Sequence, residues 1–292
     1  MASAETSRYA VAGNPVEHSR SPRIHALFAA QTGQSLTYER LLCPLDGFVT
    51  TLREFAAAGA SGCNVTVPFK FEAHALADRL TERARLAGAV NALRFDAPSD
   101  GGWLGDNTDG AGLVRDIEHN AGFALAGRRV LLLGAGGASS GVLGSLIAAR
   151  PREIVVANRS DDKALDLILR HADWAAQHGV QLAARGLGDC GAGFELLVNG
   201  TSASLSGAGV PVAGGVLAPG ALAVDMMYGP AAAPFLAWAR AQGAVARDGL
   251  GMLVEQAAES FELWRGVAPD SAAVLAQLRS EIEAAAGAPR PA

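Results

Sequence analysis

The chain has 292 residues, of which half are hydrophobic and 18% charged, with a net charge of −5. This is the composition of a core-forming globular protein, long enough for two domains of ordinary size, and it excludes an intrinsically disordered chain. The acidic balance, with no Lys/Arg cluster that could track a phosphate backbone, argues against a nucleic-acid partner.

In chain order, "MASAETSRYAV" lacks the apolar core of an export signal. "RYAVAG" reads as a strand. "SPRIHALFAAQTG" opens on Ser and Pro and stops at Gly33, as a helix does. "LTYERLLC" is strand-like and "FVTTLREFAAAG" helical. In "GCNVTVPFK", Val65, Val67 and Phe69 alternate with Asn64 and Thr66. The alternation predicts a strand with Val65 and Val67 toward the core and Asn64, Thr66 and Lys70 toward a site, Pro68 redirecting the chain before Lys70. "KFEAHALADRL" is the next helix, and "AVNALRF" and "GWLGDNTD" close a first α/β unit near residue 109.

A second unit opens at "GRRVLLLGAGGAS". Residues 130–149 are an uncharged run of membrane-spanning length, but Gly134, Gly136 and Gly137 interrupt it; strand, turn and helix are the expected result. Strands are expected at 154–157, 180–184, 195–198, 222–225 and 244–246. "LDLILRHADWAAQHG" is an amphipathic helix that covers the sheet. "GMLVEQAAESFELWRG" and "SAAVLAQLRSEIEAAA" are two helices with no strand between them, expected to pack back on the first domain. The tail "GAPRPA" is expected to be disordered. The alternation points to an α/β fold class, with domain edges expected near residues 110 and 246.

The glycine turn carries the first chemistry. Gly134 permits a tight turn, Gly136 lets a pyrophosphate approach the backbone, and small Ser139 lets helix and strand pack closely. The pattern lies between a strand and a helix, which favours a dinucleotide site over an unliganded Gly-rich turn. At the end of the next strand, an NAD site would carry Asp or Glu for the ribose 2′-hydroxyl. Here Asn158, Arg159 and Ser160 are followed by Lys163, donors suited to the 2′-phosphate of NADP. Asp161 and Asp162 are read as the acidic first turn of the following helix.

In the other half, Ser19 and Ser21 stand two apart, where an extended segment would turn both hydroxyls the same way toward a carboxylate. Ser21 before Pro22 is also a natural helix cap. Lys70 could be a solvated charge, and Asp106 and Asp109 of "GDNTDG" are candidate partners. A nearby carboxylate favours the ammonium form and desolvation disfavours it, a balance the sequence leaves open. His18, His25 and His74 lack metal-ligand spacing, and no metal is expected. Cys63 reads as a small buried residue, and Met226 and Met227 as core or pocket lining. Cys43, Cys63 and Cys190 are odd in number without metal-like spacing, which fits a reducing, cytoplasmic location.

Together, "NPVEHSRSPRIH", "NVTVPFK", "GAVNALR", "GDNTDG", "GAGGAS", "NRS", "NGTSA", "DMMY" and "DGLGMLVEQA" resemble the shikimate dehydrogenase family in order and spacing, over nearly the whole chain. The resemblance implies an α/β substrate-binding domain over 1–109, a Rossmann-like doubly wound dinucleotide-binding domain over 110–245 and C-terminal helices over 246–292 returning to the first, with the site in a cleft between the domains. It implies NADP-linked interconversion of 3-dehydroshikimate and shikimate, a step of aromatic amino-acid biosynthesis. It implies that Ser19, Ser21 and Tyr228 hold the substrate carboxylate. Asn64, Thr66, Lys70, Asn91, Asp109 and Gln256 would then bind ring hydroxyls and the reacting oxygen, with Lys70 and Asp109 as the catalytic pair. Gly134, Gly136, Gly137, Ala138, Ser139 and Gly249 would line the cofactor, and Asn158, Arg159, Ser160 and Lys163 would select NADP. The family often has Ala-Arg after the glycines and Thr after Asn-Arg; this chain has Ser139-Ser140 and Ser160. The expected partner is a small-molecule substrate, with no membrane association and a monomeric or homodimeric assembly. Two rival readings are a broader, NAD-using quinate/shikimate dehydrogenase and a non-catalytic ligand sensor, the latter disfavoured by the presence of Lys70 and Asp109.

Overall fold

The computed structural model describes residues 6–201, 210, 212 and 214–287. The end of the tail, 288–292, and Ser202 and Ala203 of "NGTSA" lie outside the described residues. The chain forms two compact units. One runs to Gly112 and takes in Val254–Gln277; the other comprises Leu113–Leu253 and begins again at Leu278.

The first unit is built on β1 (Ser7–Gly13), β2 (Leu36–Leu42), β3 (Ala60–Val65), β4 (Arg79–Leu80), β5 (Ala92–Arg94) and β6 (Leu104–Asp106), in the order β2-β1-β3-β5-β6-β4. β5 runs antiparallel to both β3 and β6, whereas β1 pairs in parallel with β2 and β3. Helices α1 (Ser21–Thr32), α2 (Phe48–Ala57), α3 (Lys70–Leu76) and α4 (Glu82–Ala87) connect the strands. α1 begins with Pro in its first turn and ends on left-handed Gly33, whose N–H donates to Ala29 O, as a helix stop requires. α4 is capped by Thr81, whose hydroxyl accepts the Ala84 N–H. The core under the sheet includes Phe48, Leu52, Cys63, Val65, Phe69 and Leu93, with the Phe48 and Phe69 rings stacked at 4.6 Å.

Three local expectations need correction here. β3 stops at Val65, and Val67 is 56% exposed, so it does not face the core. The chain turns at Thr66–Phe69 instead, with Phe69 N–H donating to Thr66 O and a cis Val67–Pro68 bond. Phe69 supplies the buried side chain, and Lys70 opens α3 rather than ending a strand. The segment "ADRL" does not extend α3; it contains the short strand β4, paired with β6. Ser21 is the first residue of α1 and not its cap, a position taken by Arg20.

The second unit holds β7 (Arg129–Leu133), β8 (Glu153–Asn158), β9 (Gln181–Gly186), β10 (Phe194–Asn199), β11 (Leu217–Asp225) and β12 (Val245–Arg247). All pair in parallel in the order β12-β11-β10-β7-β8-β9. This is the doubly wound arrangement, whose order reverses between β7 and β10. Val130–Leu133 and Leu196–Val198 are fully buried, as expected of central parallel strands covered on both faces. α5 (Asp109–Arg115) leads out of the first unit and continues as a π turn over Asp116–Asn120. α6 (Gly137–Ala148), α7 (Asp161–Arg170), α8 (Ala172–His178) and α9 (Ala233–Ala241) follow. α7 and α8 replace the single amphipathic helix read over this region; the break falls at buried His171, whose ring nitrogen Nδ1 bonds Leu167 O. α10 (Leu250–Arg265) and α11 (Ser271–Gly287) close the chain. No helix among the described residues is long and apolar enough to cross a membrane.

Candidate active site

The N-terminal residue of α3 and that of α5 meet in the first unit. Lys70 Nζ donates to Asp109 Oδ2 at 2.5 Å, with side chains 17% and 8% exposed. A pair this shielded is not a screened surface bridge. Asn91 Nδ2 donates to the other carboxylate oxygen, Asp109 Oδ1, at 2.8 Å, so both oxygens are held. The same amide lies 3.2 Å from Gln256 Oε1 on α10 and 2.9 Å from Thr108 Oγ1, while its Oδ1 accepts the Thr108 N–H at 2.8 Å. α10 comes this close because residue 112 is glycine: a Cβ there would lie 2.6 Å from Gln256 N.

The "GDNTDG" loop is anchored by its first aspartate. Asp106, 1% exposed, accepts from Arg83 Nε and Nη2 at 2.8 and 2.6 Å, from Thr81 Oγ1 at 2.6 Å and from Asn107 N–H at 2.7 Å. Burial alone would raise its carboxyl; the hydrogen bonds and charge of Arg83, with Thr81 and the Asn107 N–H, outweigh it and hold the group below the usual carboxylate range. Arg83 also pairs with Glu259 of α10 at 2.9 Å. Asp106 thus supports the loop that presents Asp109.

Asn64, at the end of β3, is 6% exposed and accepts from Tyr38 Oη at 2.8 Å. Its Nδ2 donates to Asn91 O and Ser260 Oγ. Ser21 in turn hydrogen-bonds Tyr38, and the hydroxyls of Ser19 and Ser21 lie 3.2 Å apart. The segment is not extended: Arg20 sits near the right-handed helical region, and Ser19 Oγ instead accepts the Ser21 N–H at the helix start. Arg40 on β2 donates twice to Ser19 O, at 3.1 and 2.6 Å, which fixes that turn and sets a cation beside it. Thr66 is half-buried, its methyl seated where a Cβ on Gly13 would be.

His25 is fully buried, stacked on Tyr38 at 4.2 Å and near Trp264 and Phe261. Burial pushes its imidazole down to about 3, against a smaller raising contribution from Asn64, so it packs as a neutral ring. Cys43, Cys63 and Cys190 are buried free thiols; burial pushes Cys43 up to about 11 and Cys63 higher still, which makes both poor nucleophiles. Among the described residues no group of three or more His, Cys, Asp or Glu could hold a metal ion.

The second unit carries the glycine turn between β7 and α6. Gly134 has φ +97° and a Cβ there would crowd Gly200, so only glycine suits it. Around the Cβ position of Gly136 nothing lies within 4 Å, and no side chain caps α6. Open space above uncapped N–H groups at the start of a twelve-residue helix fits a pyrophosphate. Ala138 lies in the first turn of that helix. Ser139 is fully buried with Oγ 3.5 Å from Leu133 O, a packing role. Asn158 Nδ2 bonds Ser160 O and shapes the turn after β8, leaving Arg159, Ser160 and Lys163 exposed. Asp161 and Asp162 open α7 as expected. Met226 belongs to the core. Tyr228 and Gly249 lie in this unit; a Cβ on Gly249 would stand 2.3 Å from Met226 O, so the start of α10 packs directly on the end of β11.

Sequence reading missed Tyr38, Arg40, Arg83 and Ser260. Ser260 stands four residues after Gln256, on the same helix face, and that spacing was a usable signal. Tyr38, Arg40 and Arg83 reach the site through non-local packing, which leaves no local mark.

Three family descriptions match in order: "Shikimate dehydrogenase substrate binding domain" over residues 11–93, "Shikimate / quinate 5-dehydrogenase" over 116–202 and "Shikimate 5'-dehydrogenase C-terminal domain" over 249–279. A relative from Methylibium petroleiphilum, "Shikimate dehydrogenase (NADP(+))", is 63% identical over 97% of both chains. The crystal structure of an Ael1 enzyme from Pseudomonas putida superposes with a TM-score of 0.82 at 45% identity, covering 94% of this chain and 98% of that one. Shikimate 5-dehydrogenase from Thermus thermophilus, solved with NADP(H) and shikimate, gives 0.80 at 32% identity over 94% and 99%. Sequence, fold and the order of the motifs agree, and the chain belongs to the shikimate dehydrogenase family.

Proposed function

We propose that the protein catalyses the reversible NADPH-dependent reduction of 3-dehydroshikimate to shikimate, a step toward the aromatic amino acids. The observation that carries this reading is the shielded Lys70–Asp109 pair, held by Asn91, which also bonds Gln256, within a network of neutral amides and hydroxyls. Such a set suits a polyhydroxylated ring, and the Ser19–Ser21 hydroxyls beside Arg40 suit its carboxylate.

When bound, NADPH supplies the hydride. As negative charge grows on the ketone oxygen, Lys70 donates a hydrogen bond or its proton there. Asp109 orients the ammonium and balances its charge, and Asn91 keeps the carboxylate from rotating. Gln256, Asn64 and Thr66 fix the remaining hydroxyls, and Ser19 and Ser21 hold the carboxylate. Gly134, Gly136, Gly137 and Ala138 would carry the pyrophosphate and Arg159, Ser160 and Lys163 the 2′-phosphate, with Gly249 completing the pocket wall. Three buried free thiols support a reducing, cytoplasmic setting.

Ser19→Ala is expected to raise KM for shikimate about tenfold, the cost of about one charge-assisted hydrogen bond, with kcat little changed. An unchanged KM would remove Ser19 from the clamp. Arg159→Ala is expected to raise KM for NADP⁺ by about tenfold or more while leaving NAD⁺ kinetics alone; equal effects on both cofactors would show that Arg159 does not read the phosphate. The reading as a whole is tested by kcat/KM for shikimate and quinate with each cofactor. Preference for shikimate with NADP⁺ supports it, and preference for quinate with NAD⁺ replaces it with the broader enzyme.

A further inference from the structure

The polar groups around Asn64 are arranged with a direction. A primary amide has two N–H donors and two carbonyl lone pairs. Both Asn64 N–H groups are committed, one to Asn91 O at 3.1 Å and one to Ser260 Oγ at 2.9 Å. Ser260 accepts here and donates to Gln256 O, four residues back on α10, at 3.0 Å, with Thr108 Oγ1 3.2 Å from the same hydroxyl. On the other side, Tyr38 donates to Asn64 Oδ1 at 2.8 Å. Tyr38 is itself held face to face on the buried His25 ring, at 4.2 Å and 6°. A flipped amide would set its carbonyl against the Asn91 carbonyl, and Ser260 could meet it as a donor only by giving up its bond to Gln256 O. Ser260 is fully buried and Asn64 nearly so, so water cannot repair such a mismatch cheaply.

We propose, resting on the reading of this site as shikimate-binding, that Tyr38 and Ser260 are positioning residues that lock the Asn64 amide in one orientation. With both N–H groups taken and Tyr38 on one lone pair, any further hydrogen bond to Asn64 has to come to its carbonyl oxygen. Asn64 therefore recognises a ring hydroxyl only as a hydrogen-bond donor, and the site rejects a ring that offers no donor at that position. Because Tyr38 also bonds Ser21, the lock links the carboxylate clamp to hydroxyl recognition.

The test uses the full-length enzyme, with Tyr38→Phe as the main variant because it removes one hydroxyl and keeps the stacked ring; Ser260→Ala is the second. Kinetics are measured with shikimate and with its 4-deoxy and 5-deoxy analogues, which lack one or the other non-reacting hydroxyl. Each variant is expected to raise KM for shikimate about tenfold, the effect of about one misdirected hydrogen bond, with KM for NADP⁺ unchanged and kcat much less affected. The penalty should vanish with the one analogue that lacks the hydroxyl read by Asn64 and persist with the other. A merely structural role would burden all three substrates equally, and that result, or no penalty at all, overturns the lock while leaving the assigned activity intact. If the wild-type enzyme does not turn over shikimate, the functional reading fails and the lock falls with it.

Discussion

Lys70→Ala lowers kcat by about 10²–10⁴-fold, the usual worth of a positioned general acid, with a much smaller change in KM for shikimate. The size follows from the site. Lys70 is the cation that pairs with Asp109, and the amides and hydroxyls around that pair cannot deliver a proton to a developing alkoxide as an ammonium does. The loss is specific because Asp109 keeps its bond from Asn91, so its carboxylate stays in place when the ammonium is removed. Lys70→Arg should not restore the rate, since a planar guanidinium neither fits the same space nor gives up its proton. Steady-state kinetics at saturating substrate, with circular dichroism to check the fold, measure the effect. A kcat within about threefold of wild type would place the proton transfer elsewhere.

Asp106→Asn destabilises the protein by about 2–3 kcal/mol, less than the 3–5 for breaking a fully buried pair because Arg83 is one-third exposed. The substitution keeps the size of the side chain but removes the charge that receives Arg83, Thr81 and the Asn107 N–H. Its pH dependence has a defined sign. The folded carboxyl is held below its unfolded value, so its contribution is full above the unfolded value of about 3.9 and is lost as pH falls through the folded one. Urea unfolding should show a constant gap between wild type and variant from about pH 5 to 8 and a closing gap below about pH 4. A gap that widens in acid would contradict the assignment of Asp106 as the charged anchor of the loop. Because that loop presents Asp109, the variant should also lose kcat.

What the sequence made legible was local. The run "VLLLGAGGAS" carries its own strand, turn and helix start, and the two-residue reach from Asn158 to Ser160 is a chain-local shape. The strands of the second unit lie where hydrophobic runs alternate with helical segments along the chain. Where two tendencies competed, local reading failed: Val67 continues an alternating pattern, yet the turn at Pro68 ends the strand first and leaves Val67 in solvent. The meeting of Lys70 with Asp109 was implied only by resemblance, since nothing in either segment alone selects Asp109 over Asp106. Their distinct roles become plain once β6 is set beside β4 and β5, which brings Asp106 onto Arg83 and turns Asp109 toward Lys70. Tyr38 left no local mark, and the shared helix face of Gln256 and Ser260 does not reveal that Tyr38 donates to the Asn64 carbonyl while Ser260 accepts an Asn64 N–H.

The most direct measurement is the initial rise in absorbance at the NADPH wavelength when purified protein is given shikimate and NADP⁺, run beside the Lys70→Ala variant. A rapid rise with the wild type and almost none with the variant is the predicted outcome. No rise with the wild type, or equal rises from both, would contradict the claim that this ammonium–carboxylate pair handles the proton when NADP⁺ takes hydride from a shikimate ring.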